Sequence, residues 1–258
     1  MAKDKSPRPL KEIIVSYLKT KIRKNDYDNA FFERQKNNSY ESAKIIVPLV
    51  MDIFRPQSVV DVGCGVGAWL KVFQENGVED FIGLDGKYVS GENLMIPENR
   101  FFAQDLSREF SLNRKFDLAI SLEVAEHIKK RRARVFIKNL AGLSDIILFS
   151  AAIPHQGGTH HYNEEWPGYW RRMFVDLGYD WLDPFRAGII HREEVQSYYR
   201  QNLFLVVKKE LLGDARFSRL PRYNRFMIID REIFRRANKL IRLRYLFSKY
   251  LWRGRWDI

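Results

Sequence analysis

The stretch that most constrains this chain is Ser58 to Gly67, which runs SVVDVGCGVG. Val59 and Val60 are β-branched and favour extended backbone, Asp61 follows, and glycines stand at 63, 65 and 67. The pattern predicts a short buried strand that ends in an acid and a glycine-rich turn, then a helix over 68–76. In that helix Trp69, Leu70, Val72 and Phe73 form the apolar face, and Gly77 stops it. A strand, turn and helix of this form open a doubly wound α/β sheet. The turn by itself admits two readings: a loop that lets a ligand lie against backbone, or a tight connection with no ligand.

A chain of 258 residues with 45% hydrophobic content can bury one full core with appendages. No apolar run reaches the roughly 18 residues needed to span a bilayer. The charged N-terminus (Lys3, Asp4, Lys5, Arg8) lacks the apolar centre of a signal peptide. The single cysteine, Cys64, excludes an internal disulfide and a cysteine-rich zinc site, and is expected to be a small packed residue. A cytoplasmic protein is therefore expected. The net charge of +12 is concentrated at the ends: residues 1–40 hold ten Lys/Arg against five acids, and residues 216–258 hold thirteen against three. The middle carries −3, so the basic character belongs to the ends and not to a nucleic-acid groove in the core.

Along the chain, a basic helical lead-in covers residues 1–40, with Ile13, Ile14, Tyr17, Leu18 and Ile22 at helical spacing. A helix is expected from Ser39 to just before Pro56, serving either as a cover over the ligand pocket or as packing on the sheet edge. Further strands are expected at 80–85 (DFIGLD), 100–103, 116–122 (FDLAISL), 145–150 (DIILFS) and 202–207 (NLFLVV). Helices are expected at 129–143, with a solvated basic face, and at 164–177, with Pro167 in its first turn. Alternating strands and helices demand a sheet covered on both faces.

The G-x-G-x-G spacing with an acid two residues ahead resembles motif I of the class I S-adenosylmethionine-dependent methyltransferases. Three later landmarks extend the resemblance: Asp85 ending the second strand, Gln104-Asp105-Leu106 after the third, and SLEVAEH after the fourth. The resemblance covers about residues 40–208, within a domain drawn at 41–212. It implies S-adenosylmethionine as cofactor and a Rossmann-like seven-stranded, mostly parallel sheet of order 3-2-1-4-5-7-6, with strand seven antiparallel. It assigns the cofactor to Asp61, Gly63, Gly65, Gly67, Asp85, Gln104, Asp105, Leu106 and Glu123. Asp61 suits the ammonium end, Asp85 the ribose hydroxyls, and Asp105 the adenine amino group.

Ligands of open α/β sheets lie beyond the carboxyl ends of the strands, so the segments after strands four and five face the acceptor. Residues 151–163 contain three of the five histidines, and His127 follows strand four. Histidine is the natural base for an alcohol at neutral pH. The base is assigned to His161 first and His127 second, with a loop-tethering role as the alternative for His127. The stretch SAAIPHQGG…HYNEEWPGYW resembles methyltransferases of bacterial and viral glycan loci. That resemblance makes a sugar or glycan the acceptor and has counterparts at Gln156, the glycine pair, His161, Asn163, Trp166 and Trp170. Gln156, His160, Tyr162, Asn163 and Trp166 are taken as the acceptor's contacts, the aromatic rings for stacking on a sugar. His160 departs from a more usual glycine. Trp166 and Trp170 also suit the core by spacing. Glu123, Glu126 and His127 separately resemble the metal ligands of RNA 3′-terminal 2′-O-methyltransferases. The downstream histidines depart from those enzymes' pattern, and no metal is assigned; a metal-dependent RNA 2′-O-methyltransferase, or a cofactor-binding partner module without turnover, stands as the alternative function.

The segment 213–258 is expected to form a basic amphipathic helical tail, its apolar stripe made by Ile233, Ala237, Leu240, Ile241, Phe247 and Leu251. Such a helix suits peripheral contact with an anionic membrane, or packing on the core or on a dimer partner; nucleic acid ranks third.

Overall fold

The computed structural model describes residues 29–89 and 91–223. The expectations for the lead-in before Asn29 and for the tail beyond Tyr223 lie outside the described residues.

Seven strands form one sheet: β1 (Ser58–Val62), β2 (Asp80–Asp85), β3 (Phe101–Ala103), β4 (Leu118–Leu122), β5 (Ile146–Ser150), β6 (Tyr179–Leu182) and β7 (Phe204–Lys208). Their order is β3-β2-β1-β4-β5-β7-β6. All neighbours are parallel except β7, which runs antiparallel to both β5 and β6. The period-two alternation of a strand buried on both faces sorts the side chains into two layers. Val59, Leu118, Ile120, Leu148 and Leu205 face α1 (Asn29–Phe54) and α2 (Ala68–Glu75). Val60, Ala119, Ile147, Phe149 and Val206 face α3 (Ala133–Leu143) and α4 (Pro167–Asp176). On this second face Phe149, Trp170, Phe174 and Trp181 pack edge to face or tilted at 5.3–6.0 Å, the arrangement aromatic quadrupoles favour. Two short helices, α5 (Arg186–Ile189) and α6 (Ser197–Asn202), lead into β7.

Several boundaries differ from the sequence expectation. Helix α1 continues unbroken through the polar 37–39 stretch where a restart at Ser39 was expected. Strand β4 begins at Leu118, after Asp117, whose carboxylate accepts from the amides of Gln57 (2.8 Å) and Ser58 (3.1 Å) at the start of β1. The expected 129–143 helix is divided into a 3₁₀ turn at Lys130–Arg132 and α3. Helix α4 starts at Pro167, where the missing N–H costs nothing, and not at Glu164. Cys64 is a free, buried thiol, as expected, and packs against Gly83 of β2.

Candidate active site

A cleft of about 740 Å³ opens over the carboxyl ends of the parallel strands. Its first wall is the glycine turn after β1. Gly63 has φ +92°, and a Cβ there would overlap the Val124 side chain, so only glycine brings these two turns together. Gly63 and Gly65 line the cleft, whereas Gly67 caps α2 away from it. Asp85, buried at the end of β2, accepts bonds from the Gly65 amide (2.7 Å), the Gly86 amide (2.6 Å) and the Tyr88 hydroxyl. Burial pushes its carboxyl up against these bonds. Asp61 borders a small side chamber with Ser39, Trp69 and Tyr199. Burial, reinforced by Asp85, pushes its carboxyl well above the usual range, so a cationic ligand group is the partner that would favour its charged form.

Gln104, Asp105 and Leu106 lie on the cleft wall after β3. Asp105 bonds the Ser107 hydroxyl (2.7 Å) and amide (3.0 Å), which with Arg108 hold its carboxyl below the ordinary value. Sequence reasoning missed the tie from α1 to the sheet's ligand edge, in which Tyr199 meets Ser39 Oγ at 3.2 Å and Trp69 Nε1 at 3.3 Å. Tyr88 on Asp85 was likewise missed, although its place three residues beyond the acid was visible.

The opposite wall follows β4 and β5. The amides of Tyr162 and Asn163 both donate to the Glu126 carbonyl, at 2.9 and 3.0 Å, and staple the long β5 loop onto the turn after β4. Glu123, with φ +57°, accepts from Gln156 Nε2 (2.6 Å) and Asn202 Nδ2 (3.1 Å). Burial raises its carboxyl while these bonds oppose the rise. Asn202 carried no signal in the sequence. Four non-glycine residues among those described have positive φ, and three of them (Glu123, His155, His160) stand on these two loops. Such backbone strain collects at working sites.

The loops bring His127 and His161 together edge to face, ring centroids 4.9 Å apart. His127 Nδ1 lies 3.2 Å from the His160 carbonyl, which is the loop tether foreseen for it. Burial, with the neighbouring His161, pulls the His127 imidazole down to about 4. Both histidines line the cleft, as do Glu123 and Gln156. Glu126 is wholly buried, and neither carboxylate oxygen has a hydrogen-bond partner. The amides of Glu126 itself and Ala152 lie near enough to favour its charge without bonding geometry, while burial and Glu123 push the carboxyl well up. Its Oε1 is 3.9 Å from His161 Nε2. Ligand atoms of Glu126, His127 and His161 lie within 4.8 Å of one another, close enough for one cation to bridge.

The other residues expected to touch the acceptor lie off the cleft wall. Asn163 is buried, its amide group without partners. His160 and Tyr162 stack on each other, and Tyr162 (60% exposed) and Trp166 (48%) face solvent within five residues of His161. Trp170, at helical spacing from Trp166, belongs to the core.

Sheet order, the reversed β7 and a cleft at the strand ends define the class I methyltransferase fold. A family model described as "Methyltransferase domain" matches residues 33–180, more than half of the chain. The chain belongs to that family; it is a methyltransferase enzyme whose cofactor is S-adenosylmethionine. Solved structures share the fold: the methyltransferase domain of bacterial CtHen1-C is 20% identical, with a TM-score of 0.50, covering 65% of this chain and 97% of that one. DesVI from Streptomyces venezuelae is 16% identical at a TM-score of 0.50, over 71% and 97% of the two chains. No curated protein matches the sequence. The residues present fit the cofactor: the buried Asp61 calls for a cationic group, and Gly63 and Gly65 present backbone without side chains to the cleft. No helix among the described residues is long and apolar enough to cross a membrane.

Proposed function

We propose that this chain is an O-methyltransferase acting on a sugar hydroxyl of a glycan or glycan precursor. When bound, S-adenosylmethionine supplies an electrophilic methyl on a cationic sulfur. Asp85 would take the ribose hydroxyls by charge-assisted bonds, Asp61 the ammonium group, and Gln104 to Leu106 the adenine. The observation that carries the reading is His161, which meets Glu164 at Nδ1 (3.0 Å) and stands on the cleft wall after β5. Nε2 of His161 takes the acceptor's hydroxyl proton and returns it to solvent through the cleft mouth. His127, its imidazole held neutral, is the second candidate. Exposed Tyr162 and Trp166 support a sugar acceptor, since an aromatic face packs against the apolar face of a pyranose. The excess of basic residues in 216–258 supports peripheral contact with an anionic membrane, where lipid-linked precursors reside.

A second reading rests on one observation, the clustering of Glu126, His127 and His161 around a single point. Carboxylate and imidazole donors suit magnesium, manganese or a similar ion. In that case a cation lowers the hydroxyl's pKa and His161 is a ligand in place of a base.

The test is transfer of a labelled methyl from S-adenosylmethionine into fractionated lysate of the source cells, with Asp61→Ala as the blank. Label in polysaccharide or glycolipid, insensitive to chelator, supports the sugar reading with His161 as base. The same label lost with chelator favours the cation, and label confined to RNA or protein overturns the sugar acceptor.

A further inference from the structure

Beyond its contact with His161, Glu164 gathers two further groups on its carboxylate. Oε1 meets His161 Nδ1 at 3.0 Å and accepts the Gly157 amide at 2.9 Å; Oε2 accepts the His155 amide at 2.9 Å. His155 and Gly157 both have positive φ (+70° and +73°), so the backbone of this turn is bent around the carboxylate. The turn then closes on the ring it faces. A Cβ on Gly158 would overlap the His161 imidazole at Nε2, Cε1 and Cδ2, so the ring occupies space that only glycine leaves. One acid therefore fixes the ring at Nδ1 and shapes the turn that packs over the ring's face.

We propose that Glu164 is the positioning residue of this site: it holds His161 as the Nδ1–H tautomer and so turns the lone pair of Nε2 into the cleft. A carboxylate accepts and cannot donate, so an imidazole bonded to it through Nδ1 must carry its proton there. Neutral imidazole then has one unprotonated nitrogen, Nε2, on the side of the acceptor and of Glu126. Bonds from His161 and from the two backbone amides outweigh the burial that would raise the Glu164 carboxyl, and the group is held below its ordinary value. When His161 takes a proton at Nε2, the imidazolium forms against this fixed negative charge; the carboxylate stays ionised and no second proton moves. The same tautomer would serve a ring that ligates a cation through Nε2, because outer carboxylates orient metal-bound histidines in this way. The inference rests on His161 being the working group of the proposed site, and it extends that reading to the residue that orients it. H-x-x-E spacing was legible in the sequence, but a helical start at Glu164 was expected there, which would have directed its side chain elsewhere.

The experiment is long-range ¹H–¹⁵N correlation NMR on the full chain labelled at histidine, at neutral pH in the presence of chelator, with His161→Ala assigning the ring. Wild type is expected to show His161 protonated at Nδ1 and unprotonated at Nε2. Glu164→Leu removes the acceptor and is expected to release the ring to the Nε2–H tautomer that an unconstrained histidine side chain favours. Glu164→Gln retains one oxygen and is expected to fall between the two. Wild-type His161 found as the Nε2–H tautomer overturns the proposal even if the leucine variant fails to fold, and so does an unchanged tautomer in a folded Glu164→Leu. Labelled-methyl transfer by the same proteins separates the two claims. A tautomer controlled by Glu164 with transfer surviving in His161→Ala leaves the positioning intact and removes the base assignment. Transfer abolished in His161→Ala with a tautomer indifferent to Glu164 does the reverse. With both intact, Glu164→Leu should lose roughly 10²–10⁴-fold in kcat, the range of a misdirected general base, with KM for S-adenosylmethionine unchanged.

Discussion

The two walls of the cleft solve their polar accounting in opposite ways. On the cofactor side, buried Asp85 is met by two backbone amides and a tyrosine hydroxyl. On the acceptor side, the buried Glu126 carboxylate has no bonded partner, and three residues hold left-handed backbone at positions where glycine is the usual choice. A satisfied carboxylate is ready for a ligand with hydroxyls to offer. An unsatisfied one beside two imidazoles marks a place where charge or a proton is expected to arrive during the reaction. Under the proposed assignment, recognition of the cofactor would be built into strand ends and one turn, while the chemistry would be assembled by loops that are far apart in sequence.

The strongest way to break this division is at Gly63. Gly63→Val combines a left-handed φ with overlap against Val124, and should destabilise the protein by roughly 2–6 kcal/mol. Because Val124 begins the acceptor-side turn, thermal unfolding and acceptor KM should worsen together with cofactor affinity. A loss confined to S-adenosylmethionine binding by calorimetry would show the two walls to be independent at this point.

The acceptor side should also carry a pH dependence of its own. The His127 imidazole is pulled down to about 4 from 6.5, so the unfolded chain takes up a proton before the native one does. Stability from this group is complete above pH 6.5, is lost as pH falls towards 4, and is constant below; the total is about 3 kcal/mol. In chelator-treated protein, His127→Gln should flatten that part of the denaturant-stability profile between pH 7 and 4. An unaltered profile would mean that His127 is protonated as readily folded as unfolded.

Asp85→Asn sharpens the comparison from the other wall. Its oxygen can keep one backbone amide, but its NH₂ confronts the other, and the charge offered to a ribose is gone. Affinity for S-adenosylmethionine should weaken by about 1.5–3 kcal/mol in calorimetry, with the His161 ring environment unchanged by NMR. The smallest effect is expected at Trp166. Trp166→Ala removes an exposed ring and should leave stability within about 0.5 kcal/mol, while acceptor KM rises. An unchanged KM would remove Trp166 from the acceptor site.

These contrasts also explain what was legible in the sequence. Ser58 to Gly67 and Asp80 to Asp85 were placed closely because their chemistry is local: β-branched residues, an acid and glycines dictate strand, stop and turn within ten residues. Strand β6 was given no location, because YDWL is only four residues and its identity depends on pairing with β7. The helix after the β5 loop was expected from Glu164; the carboxylate is instead bound to the turn at His155 and Gly157, and the helix waits for Pro167. Gln156 was expected to touch the acceptor; it lines the cleft, yet its amide bonds Glu123 and Asn202, partners 33 and 46 residues away. His127 and His161 were named in the sequence, but their approach depends on two amides meeting the Glu126 carbonyl, which no periodicity encodes.

The most direct test of the account is single-turnover methyl transfer by His161→Ala, at saturating S-adenosylmethionine, into the acceptor fraction labelled by wild type. The account predicts cofactor binding within about twofold of wild type and a rate lower by roughly 10²–10⁴-fold. Transfer at the wild-type rate would contradict it, and would remove His161 as the base.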